Sequence, residues 1–330
     1  MNKEWDFLLC KFRSLGGIAE NVCQQEGKLG RGIFSINPNL RSRIFTPSQL
    51  MIKQKDICLE DNHLRIKKDK DYSHEIRNFF NYYQDNFSWG RGGEKTTESF
   101  EKGLSRLPSD VKKLIKNNFL VDLEERHKGD WKNVLKNQFL NARSFKFGQD
   151  VWVVPILELV NHEVNAFPFI KNNNGISTPN YNPRESELTY VYGSSSSIKR
   201  VFNYGFFCQD PIVFSLPFSL KFKDSKSTFI CKGRDLKDDK IEYQSNDSQV
   251  VIDGIPIASI NQPSVIKNYF EHLCDLINLQ KFSQEIFSRI IRYNYLTRQE
   301  IVSRLKPLDN DACRILCKAI NYELDSISQV

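Results

Sequence analysis

The sequence predicts an α+β protein of two domains, and three patterns along the chain indicate this class. Short apolar runs bounded by glycine and polar residues are typical of strands, and they flank a middle segment with helical apolar spacing. From about residue 263 the pattern is mainly helical again. A chain of 330 residues is long enough for two well-filled cores. We therefore expect domains at 1–210 and 211–330.

The N-terminal part is predicted to be a short amphipathic helix over residues 3–15, followed by strands at 21–25 and 32–36. Between the strands lies a glycine-rich turn, Gly27-Lys28-Leu29-Gly30-Arg31-Gly32. Because the turn lacks dinucleotide-binding and P-loop spacing and no helix follows it, both of those site types are excluded. Its backbone N–H groups could approach a ligand, and a plain hairpin turn is the alternative.

The middle of the chain, about residues 70–140, is predicted to be a helical insert. Its first helix has apolar residues on one face: Ile76, Phe79, Phe80, Tyr83 and Phe87. We expect two more helices near 109–120, after Pro108, and near 130–144. The glycine-rich stretch Gly90-Arg91-Gly92-Gly93 is expected to be a linker.

Beyond the insert, strands precede the C-terminal helices. Residues 151–160 form an apolar run that indicates a buried strand or turn, residues 188–192 alternate as a strand does, and 212–260 continues as short strands. In the C-terminal part, Pro263 opens a helix. The capping box Thr297-Arg298-Gln299-Glu300 is expected to begin another, which Pro307 ends before a last helix over 310–325.

Charge and cysteine content exclude several function classes. Lys and Arg number 47 against 40 Asp and Glu, but the surplus is spread through mixed runs, so we expect no nucleic-acid partner. The 8 cysteines are scattered without zinc-ligand spacing, which predicts free thiols and no metal. No apolar run approaches membrane-spanning length, and the start lacks a signal-peptide pattern. We expect a soluble, cytoplasmic monomer that does not bind a membrane.

Two short motifs carry residues that could do chemistry. Asn161-His162 directly follows an apolar run, where a polar pair should be hydrogen-bonded or functional, and a satisfied core histidine is the alternative. Tyr192-Gly193 is followed by Tyr204-Gly205-Phe206, which would hold a phenol beside a backbone without side-chain bulk. Two buried tyrosines at strand ends are the alternative for this motif. No Ser or Cys stands in a nucleophile-elbow context.

The order and spacing of these motifs resemble the SET-domain lysine methyltransferases, and most closely the RuBisCO large-subunit methyltransferase type. That type has a long helical insert and a helical C-terminal substrate-binding domain in place of a cysteine-rich zinc tail. The resemblance covers about residues 15–210 by motif and 211–330 by general pattern. The matching segments, besides the insert, are Gly30-Arg31-Gly32-Ile33-Phe34, Ala142-Arg143-Ser144-Phe145, the run 155–160 with Asn161-His162, Tyr192-Gly193 and Tyr204-Gly205-Phe206.

The resemblance implies a SET domain of small twisted sheets with a pseudoknotted C-terminal part, and S-adenosylmethionine as cofactor. Gly30, Arg31 and Gly32 would offer backbone groups to the cofactor. Arg143 would pair with its carboxylate, and Asn161 and His162 would bind its amino group and adenine. The activity implied is transfer of a methyl group to a lysine of a protein substrate.

On the substrate side, the resemblance implies that Tyr204 is the active-site phenol, Tyr192 lines the lysine channel and Glu158 faces the substrate. The chain departs from the family pattern at Glu158 itself, where Asp is common. It departs again at Ala142, at Glu163 and at Ser194–Ser197. A catalytically silent SET-like scaffold that binds a cofactor or a protein is therefore the alternative function.

Overall fold

The computed structural model describes most of the chain, and every statement below concerns the residues that it describes. These are residues 3–179, 187–192, 195–221, 228–234, 243–246, 249–260, 262–276 and 279–330. Gly193 and Ser194, which belong to the motifs named above, lie outside them.

Contacts divide the chain into two compact units. Unit 1 comprises Met1–Glu98 and Gly129–Gly193, and unit 2 comprises Ser99–Lys128 and Ser194–Val330. Part of the helical insert therefore has most of its contacts with the C-terminal half of the chain. The domain boundary at residue 210 rests on sequence pattern alone and stays a prediction.

The predicted helices at both ends of the chain and in the insert are present, and none of the described helices is long and apolar enough to cross a bilayer. Polar side chains cap several of them: the Ser73 hydroxyl accepts from Ile76 N, and Asp130 and Asn310 act in the same way. The helices are α1 Lys3–Ser14, α2 His74–Phe87, α3 Glu94–Ser105, α4 Ser109–Phe119, α5 Leu123–Arg126, α6 Trp131–Arg143, α7 Ser197–Tyr204, α8 Pro263–Leu276, α9 Ser283–Leu305 and α10 Asp311–Ile327.

The strands are short, as predicted for small sheets. In unit 1 they are β1 Ile18–Glu20, β2 Val22–Gly27, β3 Gly30–Ser35, β4 Arg43–Pro47, β5 Ile52–Lys53, β6 Ile57–Glu60, β7 His63–Ile66, β8 Ser144–Phe147, β9 Asp150–Val153, β10 Asn161–His162, β11 Ile170–Asn172, β12 Gly175–Ser177 and β13 Glu187–Tyr190. In unit 2 they are β14 Ile212–Phe214, β15 Phe218–Lys221, β16 Thr228–Cys231, β17 Tyr243–Asn246, β18 Gln249–Ile252 and β19 Pro256–Ser259.

Unit 1 is built from several small sheets. One has the order β1-β4-β12-β11 and another the order β10-β13-β3-β2, in which β10 and β13 are parallel. The second sheet joins segments that are far apart in sequence, since it pairs Leu188 with Ile33 and Asn161 with Thr189. The cores beneath these sheets are rich in aromatic and branched side chains from α1, α2 and the apolar run 154–160.

Unit 2 has a four-stranded sheet of order β15-β16-β18-β17 and a separate β14-β19 pair. Its helices form a second core, in which α3, α4 and α7 pack with α9 and α10. Two buried ion pairs, Arg298–Glu323 and Arg200–Asp210, lie in this unit. Buried charges of this kind are found where they are paired.

The helices differ from the expectations at two points, after 90–93 and at Thr297. Gly90-Arg91-Gly92-Gly93, expected as a linker, is a short kink that connects α2 to α3, in which Arg91 and Gly92 have non-helical backbone angles and Gly92 has a φ of +100. Helix α3 directly follows it and was not predicted. The capping box at Thr297 does not begin a helix, because α9 runs unbroken from Ser283 to Leu305 and buries Ile290, Asn294, Arg298 and Ile301 on one face.

Candidate functional site

The glycine-rich turn is a tight hairpin in unit 1. Gly27 pairs with Gly30, so Lys28 and Leu29 form the tip, and Gly30 has a φ of +89, a conformation that favours glycine. The turn leads into β3, which lies between β2 and β13. The predicted strand–loop–strand arrangement is therefore confirmed.

Gly32 lies where a side chain would not fit. A Cβ atom at this position would be 2.5 Å from Glu187 Oε1 and 2.6 Å from Asn161 Nδ2. Those two side chains are bonded to each other, since Asn161 Nδ2 donates to Glu187 Oε1 at 2.7 Å. The structure thus brings two predicted residues together and adds Glu187, which sequence reasoning missed because nothing in the local pattern at residue 187 indicates a distant partner.

The Arg31 side chain contacts the kink that precedes α3. Its Nη2 donates to Arg91 O at 2.5 Å, whereas Nη1 is buried and has no hydrogen-bond partner in the described part of the chain. Burial lowers the pKa of Arg31, and the charges of Arg91 and Arg143 lower it further, against the opposing charge of Glu26. Arg31 and Arg143 therefore form a region of excess positive charge.

Arg143 is the last residue of α6. Its Nη1 donates to Glu158 O at 3.3 Å, and its guanidinium lies 4.9 Å from the centre of the Phe139 ring. These contacts leave most of the five guanidinium N–H donors for other acceptors. A planar guanidinium of this kind suits a carboxylate ligand.

Glu158 is buried, with 4% of its surface exposed. Its Oε1 accepts hydrogen bonds from Ser88 Oγ at 2.9 Å and from Gln84 Nε2 at 3.2 Å. Burial raises the pKa of Glu158, and the positive charge of Arg143 opposes that rise. The carboxyl group is therefore held by Gln84 of α2 and by Ser88, the residue that follows α2.

His162 and Tyr192 lie against each other in unit 1. His162 Nδ1 lies 3.0 Å from the backbone nitrogen of Tyr192 and 3.2 Å from the backbone oxygen of Tyr190, and the His162 and Tyr192 rings are 4.9 Å apart. The Tyr192 hydroxyl donates to Val160 O at 3.0 Å. Tyr190 and Phe169 continue this row of aromatic rings, with centroids 3.9 Å apart.

Tyr204 is the last residue of α7, in unit 2, and not the end of a strand. Gly205 ends the helix with φ +74, and its N–H donates to Val201 O at 2.8 Å. Burial raises the pKa of Tyr204, and Arg200 opposes that rise. The phenol is thus protonated at neutral pH.

Two ion pairs, one buried and one partly buried, hold the end of α7. Arg200 is bound by Asp210 through two hydrogen bonds of 2.8 and 2.7 Å. Arg126, on α5, donates to Phe202 O at 2.9 Å and is itself bound by Glu101 at 2.9 and 2.6 Å. The insert helices of unit 2 therefore fix the backbone that carries Tyr204.

Comparisons with known proteins agree with this architecture. The structure of Rubisco LSMT bound to sinefungin and monomethyllysine matches with a TM-score of 0.51 and 12% identity, over 100% of this chain and 90% of that chain. The crystal structure of the SET domain of LSMT bound to lysine and AdoHcy matches with a TM-score of 0.47 and 11% identity, over 99% of this chain and 90% of that one. No protein-family profile matches the sequence. No curated protein matches it either.

The fold is that of a SET-domain protein. More closely, it is the fold of the Rubisco LSMT type, whose length this chain covers almost completely. The predicted resemblance and the predicted fold class are both confirmed at the level of the fold.

Proposed function

We propose that the protein is an S-adenosylmethionine-dependent methyltransferase that transfers a methyl group to a lysine side chain of a protein substrate. The observation that carries this proposal is the cluster at Gly32, where Asn161 and Glu187 leave no room for a Cβ atom. The absence of a side chain at Gly32 lets these two polar side chains, which we assign to the cofactor, lie directly against the backbone of β3. The likeness in fold to Rubisco LSMT bound to sinefungin supports it.

The residues of unit 1 fit the amino-acid part of such a cofactor. That part carries a carboxylate and an ammonium group, so it needs cations and oxygen acceptors together. Arg143 and the buried Nη1 of Arg31 are the cations that would bind the carboxylate. The oxygen acceptors for the ammonium group would be those of Asn161 and Glu187. His162, with its ring against Tyr192, is the residue that we assign to adenine. The cofactor would supply the methyl group on a sulfonium.

The acceptor lysine must lose its proton before it can accept a methyl group. Its pKa is about 10.4 in water, so the neutral form costs ~4.6 kcal/mol at pH 7. An apolar channel lowers that cost because burial disfavours the ammonium form. We assign Tyr192 to the lining of the channel.

Tyr204 is the phenol that we assign to the reacting amine. Because burial raises its pKa, the hydroxyl stays protonated and does not act as a base at neutral pH. It orients the amine lone pair by a hydrogen bond, and positioning of this kind is the main contribution a protein can make to a displacement reaction. Arg126 and Arg200 hold the backbone and ring of Tyr204 in place.

Glu158 has contacts that favour a different role from substrate binding. Its Oε1 is used by Ser88 and Gln84, and its backbone oxygen accepts from Arg143. We propose that Glu158 orients Arg143 through its backbone oxygen and the charge of its carboxyl group, and that substrate binding depends on Tyr192 and Tyr204.

The test has two measurements on the full chain. Calorimetric titration with S-adenosylmethionine measures cofactor binding, and mass spectrometry of a cell extract incubated with the protein and a labelled methyl donor measures transfer. We expect saturable binding and labelled lysines. Binding without any labelled protein would support the silent scaffold, and absence of binding at millimolar cofactor would overturn the proposal.

A further inference from the structure

A pocket lies in unit 1 beside α6. It has a volume of about 440 Å³ and opens between α6, β9 and the chain around residues 54–57. Its polar lining consists of lysines and side-chain amides with one carboxylate. These residues are Lys55, Lys67, Lys136, Gln54, Asn137, Gln149 and Asp150.

The pocket is lined by three lysines but by only one carboxylate, that of Asp150. Asp150 already lies 2.7 Å from Lys53 Nζ and 3.1 Å from Lys55 Nζ. Lys67 and Lys136 make no ion pair with any carboxylate of the described residues. The charge of Lys67 acts on Asp69, but that carboxylate already lies 2.9 Å from Lys70 Nζ. The thiol of Cys58 interacts with Lys67 and Lys136, but burial and Glu60 raise its pKa, so it stays neutral.

Lys67 and Lys136 come from different elements, yet they act on each other electrostatically. Lys67 follows β7, where its N–H donates to Asp56 O at 2.9 Å, and Lys136 lies on α6. Both are half-buried. Burial lowers the pKa of Lys136, and the charge of Lys67 lowers it further. Two like charges held close together at half-buried positions destabilise the empty protein, and a bound anion would reduce that cost.

We propose that this pocket binds a small phosphorylated metabolite through its phosphate group. A phosphate monoester carries close to two negative charges at neutral pH, which matches the two ammonium groups. Lysine binds phosphate as a point charge, and the amides of Asn137 and Gln149 supply further donors. The volume is in the range that holds a small organic ligand.

The probes are glucose 6-phosphate and orthophosphate, titrated calorimetrically in a phosphate-free buffer, with glucose as the phosphate-free control. We expect both phosphates to bind and glucose to give no heat. Tighter binding of the sugar phosphate would show that the organic part also contacts the pocket, and equal affinity would show that phosphate alone suffices. No heat from either phosphate at millimolar concentration would overturn the proposal.

Variants locate the site. Lys67→Gln and Lys136→Gln should each weaken phosphate binding about tenfold, since each removes one charged contact. Lys132→Gln is the matched control, because Lys132 is exposed one turn earlier on the same helix and does not line the pocket. Lys136→Gln should also raise the melting temperature of the ligand-free protein by removing the repulsion from Lys67. Equal weakening by Lys132→Gln, or unchanged affinity in Lys136→Gln, would show general surface attraction and refute the site.

Discussion

Arg126 Nη2 donates to the backbone oxygen of Phe202 at 2.9 Å, two residues before Tyr204. A cation at this point satisfies a carbonyl at the carboxyl end of α7, where helices leave such groups unpaired. Glu101, which is 2% exposed, holds Arg126 through two hydrogen bonds. Helices α3 and α5 of the insert therefore fix the end of α7, which carries Tyr204, the proposed active-site phenol.

Glu101→Gln should destabilise the protein at neutral pH by about 3 kcal/mol, because it leaves the Arg126 charge poorly compensated. Burial would raise the pKa of Glu101, but hydrogen bonds from Arg126 and His127 outweigh it and lower the pKa. Since the folded pKa lies below the unfolded value, this stabilisation is present above about pH 4.3 and is lost as the pH falls through the lowered pKa.

Urea unfolding at neutral and acid pH measures this effect. The difference between wild type and Glu101→Gln should shrink as the pH falls. Asp110→Asn is the control, because Asp110 forms an exposed ion pair with Arg304 in the same unit. A difference that stays constant with pH would contradict the assigned role of the carboxylate.

Glu158→Gln should have the opposite pH dependence. Burial raises the pKa of Glu158, so the wild type loses stability as the pH rises through the unfolded glutamate value, about 4.3. Glutamine cannot ionise and keeps an oxygen acceptor for Ser88 and Gln84. The variant should therefore match or exceed the wild type in unfolding free energy at neutral pH.

Cofactor affinity and substrate KM separate the two roles considered for Glu158. Glu158→Gln keeps the backbone oxygen that accepts from Arg143 and removes only the carboxylate charge that acts on Arg143. If that charge helps to orient Arg143, the variant should change cofactor affinity, whereas a residue that faces the substrate should change the KM for the methylated protein. An increase in substrate KM alone, with cofactor affinity intact, would favour the substrate-binding role predicted from sequence.

The sequence predicted those elements whose signals are local. Helix α2 has its apolar face and its Ser73 cap within one short segment, and the hairpin before Gly32 has its turn residues in place. Helix α3 was missed because Gly90-Arg91-Gly92-Gly93 is typical of a loop. In the structure, Gly92 takes the φ of +100 that lets the chain change direction and continue as a helix.

The rest depended on contacts between distant segments. Arg298 stands in a sequence typical of a helix start, but Glu323 and Asn294 bind it within an unbroken helix. Likewise, Glu187 meets Asn161 only because β13 pairs with both β10 and β3. Local sequence patterns do not specify such pairings, so the partners of the proposed site residues could not be predicted from the sequence.

Arg143→Ala should weaken S-adenosylmethionine binding about tenfold or more, because a charge-assisted contact contributes roughly 1.5–3 kcal/mol. Calorimetric titration measures the affinity, and thermal unfolding measures the fold. Arg41→Ala, which removes an exposed arginine of the same unit, is the control and should change neither. Lower stability with unchanged cofactor affinity would mean that Arg143 has a structural role only.

Gly32→Ala should abolish measurable cofactor binding while the protein still folds. The added methyl group would displace Asn161 and Glu187, whose side-chain ends lie 2.6 and 2.5 Å from the Cβ position. Gly30→Ala provides the comparison, because no atom lies within 4 Å of its Cβ position and the φ of +89 strains the backbone instead. That variant should lose stability by about 1–2 kcal/mol. Equal cofactor affinity in Gly32→Ala and wild type would show that the packing of Asn161 and Glu187 against Gly32 is not part of the cofactor site.

Tyr204→Phe tests the proposed chemistry, because it keeps the ring and its burial but removes the hydroxyl. Loss of one positioned hydrogen bond in an active site lowers the rate by about 10²–10³. Cofactor affinity and melting temperature should change little, since α7 keeps the contacts of Arg126 and Arg200. Tyr295→Phe, which removes a phenol that packs against the cores of unit 2, is the matched control and should transfer at the wild-type rate. If Tyr204→Phe also transfers methyl groups at that rate with cofactor bound, the hydroxyl of Tyr204 does not orient the reacting amine.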